Sequence, residues 1–585
     1  MIFPSNPEEL EKRVKWIIDR CFDTREDRNR LYDWREKYYL YGTAGYQQAR
    51  YNRIRSHIDL VRAFLYAPSG SFYHIAATGN ADDLLIRQAM AVEDAFNDEF
   101  FDASISTQVS EAIEWSMVYD SFLLKMGWNR NRNQIFADFV PPHNFGVYRE
   151  DLSLDNQTAF CHRYPLDYQD AVEACLRADR ADMISRLHVT NSPRIAPFPL
   201  IMQQRMIIAS TGGTNLTGNI FGQVNPDYSP VASYQSETDV PLVFFDELWV
   251  WDTLSGDWRI FHMLEPDVLV GDSRKTIRKI QDHQEKKIGK KAIWGVLAEN
   301  DETRISETNY FIPGEHPFVQ ICPFPKWNYM WGMAHMDVLT PLQEWMLERL
   351  EQISDILERQ AYPPHSYTGF GGLTDERAAA FGGTDTYIYD QMPGAKVETH
   401  APEMPPDIFA EFGKMENMFL EASGLTELLG GKGEQGVRSG NHAAQLKKMG
   451  AGRIQNTAEA LKPSLIRIGD IGLKLKMMHD DTPLIAEEGE DGKKMHFKAS
   501  QIAGDVKIRV EGHEYSPLFG DESQQVAIGL KKLGAIDEEM LVRMMRPPAR
   551  DNILHRLRQK SRREAQMAAQ HPELLQHGKG GRRPR

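Results

Sequence analysis

The chain has 585 residues, 41% of them hydrophobic and 26% charged, the balance of a globular protein of several domains rather than a disordered one. A formal net charge of -15 and a pI of about 5.7 exclude a general electrostatic grip on nucleic-acid phosphates, and with it a repressor or histone-like role. They leave room for a wall along which DNA slides, because strong phosphate contacts there would act as traps.

The opening MIFPSNPEELEKRVKW has no basic segment followed by an apolar one, and no stretch approaches the roughly 20 apolar residues that span a bilayer, so neither secretion nor membrane insertion is expected. Cys21, Cys161, Cys175 and Cys322 lack CxxC spacing, which argues against zinc and a disulfide framework and for buried thiols in a reducing cytoplasm.

In chain order, Ile54, Ile58, Val61, Phe64 and Leu65 repeat at helical spacing until Pro68 and Gly70. Further helices are expected over residues 81–101 and 104–119. Residues 122–128 and 134–140 read as a hairpin around the polar turn NRNRN. A second hairpin joins residues 243–251 to 258–264 through TLSGD, where Gly256 suits positive φ. Asp167 is placed to cap a short helix reaching about Ala178, and residues 191–239, rich in Pro, Gly, Ser, Thr and Asn, suit a long surface excursion. Residues 122–322 therefore read as an α+β unit. The basic cluster over Lys275–Lys291 reads as a solvated helix face, with a nucleic-acid or partner patch as the alternative.

Leu339, Leu342, Met346, Leu350, Ile353 and Leu357 then mark a helix that ends at Pro363 and Pro364. Its other faces carry Glu344, Glu348, Glu351, Asp355 and Glu358, an acidic stripe that suits a pore lining or solvent. Residues 361–406 form a compact insertion punctuated by Gly and Pro. Ile408, Phe412, Met415 and Phe419 mark a second helix ending at Gly424. After the loop GLTELLGGKGEQGVRSGNH comes a long helix over about 441–479, weakened early by Gly450 and Gly452 and expected to kink at Pro463. Residues 480–501 are polar and acidic, 505–512 read as a strand, and the rest is helical. The chain ends in a basic segment with Arg556, Arg558, Lys560, Arg562, Arg563, Lys579, Arg582, Arg583 and Arg585. The class is α+β, mostly α.

No G-x-x-x-x-G-K-[ST], H-E-x-x-H, EF-hand loop or G-x-S-x-G occurs, and GGKG at Gly430 shares only composition with a phosphate loop. GFGG at Gly369 lacks the third glycine of a dinucleotide fingerprint, and His442 reads as a first-turn helix residue rather than a base. No catalytic, metal or cofactor residues are assigned, and no enzymatic activity is expected.

The order helix, insertion, helix, Gly-rich loop, long helix over residues 327–480 resembles the portal protein of a tailed double-stranded DNA bacteriophage. FIPGEHPFVQICPFPKWNYMWGMAHMDVLTPLQEWMLERLEQI is similar to that family's strand, turn and first stem helix. YNRIRSHIDLVRAFLYAPSGSF and ADFVPPHNFGVYREDLSLDNQTAFCHRYPLD look like its wing, and SPLFGDESQQVAIGLKKLGAIDEEMLVRMMRPPARDNILHRLRQ like its crown.

The resemblance implies a portal fold of wing, stem, clip and crown in a homo-oligomeric ring of about twelve subunits joined head to tail. Residues 1–336 would be N-terminal helices and wing, 337–360 and 407–424 the stem, 361–406 the clip, 425–440 the tunnel loop, 441–520 the long kinked helix and the return to the wing, and 521–585 the crown with its basic tail. Lys432, Glu434, Gln435, Arg438 and Asn441 would face double-stranded DNA without reading sequence, with Glu344, Glu348, Glu351 and Asp355 lining the channel. Tyr362, His365, Tyr367, Phe370, Tyr387 and Tyr389 would form the clip's docking surface. Implied partners are the terminase large subunit, which would hydrolyse the nucleotide, the major capsid and scaffolding proteins, and a tail or adaptor protein. No membrane is implied. The implied location is the portal vertex of the virion, after assembly in the host cytoplasm. Another capsid-associated scaffold or ring protein, or an enzyme without a recognisable motif, are the alternative readings.

Overall fold

The computed structural model describes residues 3–4, 6–43, 51–67, 73–78, 83–129, 132–193, 239–253, 256–273, 312, 314–363, 365–368, 396–399, 401–422, 452–488, 493–502, 504–510, 520–545 and scattered positions within 553–563. The class is α+β, helix predominating over strand.

Two helices precede those marked by apolar spacing, α1 (Pro7–Phe22) and α2 (Arg25–Tyr41). Asn6 caps α1 by accepting from the Glu8 amide at 3.2 Å, and Pro7 supplies the helical φ of the first turn. Leu10, Val14, Ile17, Ile18 and Cys21 then form its buried face. Helices α3 (Arg53–Leu65), α4 (Asp83–Asp102) and α5 (Ile105–Tyr119) follow, with strand β1 (Tyr73–Ala77) between the first two.

The hairpin β2 (Phe122–Asn129) and β3 (Gln134–Val140) pairs from Leu123↔Val140 to Asn129↔Gln134, as its alternation predicts. Strands β4 (Phe145–Val147), β5 (Ala159–Asp167), β6 (Thr190–Pro193), β7 (Asp239–Asp252), β8 (Asp257–Leu264) and β9 (Val268–Asp272) build an antiparallel sheet in the order β4-β5-β7-β8-β9, with β6 also on β7. Helix α6 (Tyr168–Arg177) starts where Asp167 marks it, although that side chain makes no capping hydrogen bond. Strand β10 (Phe318–Ile321) returns to pair with β2, giving the three-stranded order β10-β2-β3.

The two sheets face each other, and the alternation of side chains sets which residue goes where. Ala159, Cys161, Leu248, Val250, Phe261 and Met263 meet α1, while Phe160, Trp249 and Ile260 on the opposite face meet Leu123, Val140 and Phe318. Across this second interface Lys125 Nζ donates to both oxygens of Glu247 at 3.0 and 2.8 Å, and Trp249 Nε1 donates to one of them at 2.6 Å. Burial alone would push the Glu247 carboxyl up; Lys125, His262 and His162 outweigh it and hold it at about 2.

After α7 (Met336–Ala361), β11 (His365–Thr368), β12 (Lys396–Thr399) and α8 (Ile408–Ala422), helix α9 (Gly452–His479) packs with α5 on the three-stranded sheet and contacts α3. Its described extent begins at Gly452, and Pro463 lies within it without ending it. Gly469 lies so close to Tyr73 that a β-carbon would strike the ring, and the Tyr73 hydroxyl donates to the Leu465 carbonyl at 3.0 Å. The polar stretch after α9 holds a hairpin, β13 (Leu484–Glu488) with β14 (Lys493–Phe497), where the sequence reading has only a charged segment. Buried Ala486 and Phe497 supply its apolar side, which the acids between the strands obscure in sequence. Strand β15 (Val506–Val510) pairs with β1, followed by α10 (Gly520–Lys532) and α11 (Glu538–Met545).

Candidate channel stalk

The stalk is helix α7 (Met336–Ala361) packed on α8 (Ile408–Ala422), with strands β11 (His365–Thr368) and β12 (Lys396–Thr399) paired between them. Asp337 lies in the first turn of α7, where an anion suits the helix dipole, and Pro363 stops the helix after Tyr362 donates its amide to the Glu358 carbonyl at 2.8 Å. Three ties fix an antiparallel register. Arg349 meets Glu411 at 3.1 Å, Gln360 Nε2 donates to the Pro402 carbonyl at 2.8 Å, and both Gln343 and Glu416 bond to Tyr51.

Leu339, Met346 and Ile353 are buried as their spacing predicts, whereas Leu357, nearer the tip, is 50% exposed. Glu344, Glu348, Glu351 and Asp355 are all exposed and, at 100° per residue, fall within about 60° of arc opposite the buried face. Glu344 accepts a hydrogen bond from the Tyr38 hydroxyl of α2. On α8, buried Met415 and Phe419 share one face, while exposed Phe409 and Met418 project from opposite flanks, about 180° apart.

The root of the stalk is held by polar groups from α2, α3 and α5. Arg35, 4% exposed, donates through Nε and Nη2 to the two oxygens of Asp337 at 2.9 and 2.8 Å. Its Nη1 reaches the Tyr119 carbonyl and, at 3.3 Å, Asp120 Oδ2. Tyr32 donates to Asp120 Oδ1 at 3.1 Å. Burial pushes the Asp120 carboxyl up to about 7 against the pull of Arg35 and Arg28, and Asp120 holds a φ of 141° outside the helical and extended regions.

Fully buried Gln343 closes the α3 side, accepting from the Arg53 amide at 3.1 Å and donating to the Tyr51 carbonyl at 2.6 Å. The Tyr51 hydroxyl donates to Glu416 at 2.7 Å, and burial together with that bond pushes it up to about 12. Buried His335 precedes α7 and stacks on Phe324, while His57 of α3 lies edge-on to Phe419 of α8. Burial lowers both to about 4, so they are neutral at pH 7.

Of the residues assigned from sequence, the structure brings the four acids into one stripe and leaves Tyr362 66% exposed at the stalk's end. His365 lies opposite Thr399 and Tyr367 opposite Val397 in the β11–β12 pair. Phe370, Tyr387 and Tyr389 lie outside the described residues, as do Lys432, Glu434, Gln435, Arg438, Asn441 and the Lys275–Lys291 cluster. Arg556, Lys560 and Arg563 of the basic end are exposed. Sequence reasoning missed the Arg35, Asp120, Tyr38 and Tyr51 clamp, because no local pattern marks a pair such as Arg35 and Asp337.

All four cysteines are free, Cys21, Cys161 and Cys175 being buried, and burial lifts the Cys322 thiol to about 12. Among the described residues no group of three or more His, Cys, Asp or Glu side chains could hold a metal ion, and no helix is long and apolar enough to cross a membrane. No protein-family model matches the chain, and no curated protein matches it either.

Proposed function

We propose that this chain is a portal protein, a subunit of a ring through which double-stranded DNA enters and leaves a phage capsid. The observation that carries the reading is the division of the stalk into faces. It has a buried face toward the body, an acidic stripe opposite, and exposed apolar side chains on both flanks of α8. Apolar flanks on two sides suit a copy on either side, the head-to-tail arrangement that closes into a ring. A carboxylate stripe turned toward an axial channel repels phosphate, so a duplex passes without being held.

In this reading the Gly-rich loop with Lys432, Glu434, Gln435, Arg438 and Asn441 touches the duplex transiently, and glycine gives its backbone freedom to move. The clip around Tyr362 docks terminase during packaging and a tail or adaptor protein afterwards, while the wing meets major capsid and scaffolding proteins at the portal vertex. The reading is supported by the order of elements, by the stalk's faces and by the acidic chain as a whole.

Electron microscopy of the purified full chain tests it. Closed rings with an axial hole are expected. A species that stays monomeric at high concentration, or rings without a channel, refutes the proposal. Deleting residues 430–436 is expected to spare ring assembly and lower packaged or retained DNA.

A further inference from the structure

The corner between α1 and α2 gathers more positive charge than the groups around it neutralise. Arg25, 9% exposed, opens α2, and its guanidinium lies 5.0 Å from the centre of the Phe22 ring. The guanidinium of Arg163, on β5, lies 4.9 Å from the same ring. Strand β4 closes on this corner at Gly146, where a β-carbon would strike the Cys21 carbonyl and the Phe22 ring. Arg28, one turn along α2 from Arg25, is 7% exposed and lies 4.1 Å from the Trp331 ring.

The acids here are already committed. Asp246, 3% exposed, takes Arg163 Nε and Nη2 on its two oxygens at 2.6 and 2.7 Å. Glu150 accepts on Oε1 from Arg28 Nη1 at 2.5 Å, the Thr24 hydroxyl at 2.7 Å and Trp331 Nε1 at 3.3 Å. Exposed Asp23 pairs with Arg20 at 2.7 Å. Arg25 Nη2 and Arg28 Nε and Nη2 are buried and find no hydrogen-bond acceptor among the described residues. Three guanidiniums, Arg25, Arg28 and Arg163, thus share two carboxylates, Asp246 and Glu150.

The unused edge identifies the class of ligand. Arg35, Arg163 and Arg259 each spend Nε and Nη2 on the two oxygens of one carboxylate, the fork geometry that suits an oxyanion. In Arg28 that edge is unspent, and Arg25 adds its Nη2. Burial, Arg163 and Arg28 draw the Arg25 guanidinium down to about 9 against the pull of Asp246, which leaves it charged at pH 7. A buried charge without a partner is costly, and an anion with several oxygens on one centre answers both the charge and the fork.

We propose that this corner binds a compact oxyanion of the phosphate class, held by Arg25 Nη2 and the Nε and Nη2 edge of Arg28, with Arg163 adding to the attraction. The site is independent of the ring reading. Its guanidiniums lie too deep for the backbone of a nucleic-acid duplex, so the ligand is a free ion or a terminal phosphoryl group, entering past exposed Thr24.

Calorimetric melting and isothermal titration of the full chain with inorganic phosphate test it, against sodium chloride at equal ionic strength. Phosphate at about 50 mM is expected to raise Tm at least about 3 °C above chloride. R25M removes a buried charge without stranding a partner, so it is expected to melt no lower than wild type in chloride and to lose the phosphate rise. R25K keeps the charge without the fork and is expected to bind phosphate at least about tenfold more weakly. Deoxyadenosine 5′-monophosphate separates the two sources: binding that matches phosphate assigns a terminal phosphoryl group, and no binding assigns the free ion. A wild type that melts alike in phosphate and chloride overturns the site, as does an undiminished phosphate affinity in R25M or R25K. R25M that melts well below wild type in chloride overturns the account of Arg25 as a charge without a partner.

Discussion

Replacing Arg35 by Met tests whether the stalk root is held by charge. The substitution keeps much of the side chain's bulk and removes the donors to Asp337, Asp120 and the Tyr119 carbonyl. Asp337 is 36% exposed and regains water, so its ion pair is discounted, whereas Asp120 is 6% exposed and does not. Removing one partner of a buried pair costs about 3–5 kcal/mol, and the single buried acid here points to the lower end, about 3 kcal/mol at pH 8. For a unit of 150–250 residues that corresponds to a loss of about 6–12 °C in Tm.

The deficit depends on pH, and its sign follows from Asp120. Its carboxyl is already raised to about 7, and losing Arg35, which pulls it down, raises it further. A carboxyl raised on folding binds its proton more tightly in the folded state, so its cost is absent near pH 4 and grows as pH rises through 7. The gap between R35M and wild type is therefore expected to narrow from pH 8 to pH 5. Comparing the two proteins at each pH cancels the acid lability of the depressed His57 and His335, which both carry. Adding D120N to R35M is expected to recover part of the loss at pH 8. Calorimetric or urea melts at pH 5, 6, 7 and 8 measure this, and a gap that is constant or widens toward acid refutes the electrostatic account of the root.

Two further outcomes are expected. K125M strands fully buried Glu247 between the sheets and lowers stability by about 3–5 kcal/mol in urea melts, while K125M/E247Q recovers most of it. Because Glu247 is held down at about 2, the pair's contribution is present above the ordinary glutamate range and is lost as pH falls through about 2. Neutralising the stripe with E348Q/E351Q/D355N leaves melting within about 0.5 kcal/mol, since these are exposed positions. On the portal reading proposed above, the same triple variant is expected to slow DNA passage in packaging assays, most clearly at low salt, and an unchanged rate at every salt concentration removes the stripe from that reading.

The stalk was legible because its apolar residues recur at three and four, a pattern that needs no knowledge of the partner. The β2–β3 hairpin was legible from alternation around NRNRN. Helix α2 was not, because its buried positions are Arg25, Arg28, Tyr32, Arg35, Glu36, Tyr38 and Tyr39, residue types that ordinarily face water. Several are held inside by bonds to distant segments: Arg28 reaches Glu150, and Arg35 reaches Asp120, which follows α5, and Asp337, 302 residues away. The β13–β14 hairpin failed for a related reason, since its apolar residues are confined to Leu484–Ala486, Met495 and Phe497 and the charged residues around them dominate any short window.

The bond from Gln360 to the Pro402 carbonyl closes a neck, so the chain leaves and re-enters the far end of the stalk at nearly one point. Whatever lies past that neck is, to the body, a loop whose ends are already joined. Doubling the length of a flexible segment there adds only about 0.6 kcal/mol of closure entropy. A change of length past the neck therefore costs the sheets, the root clamp and the acidic stripe beneath it little.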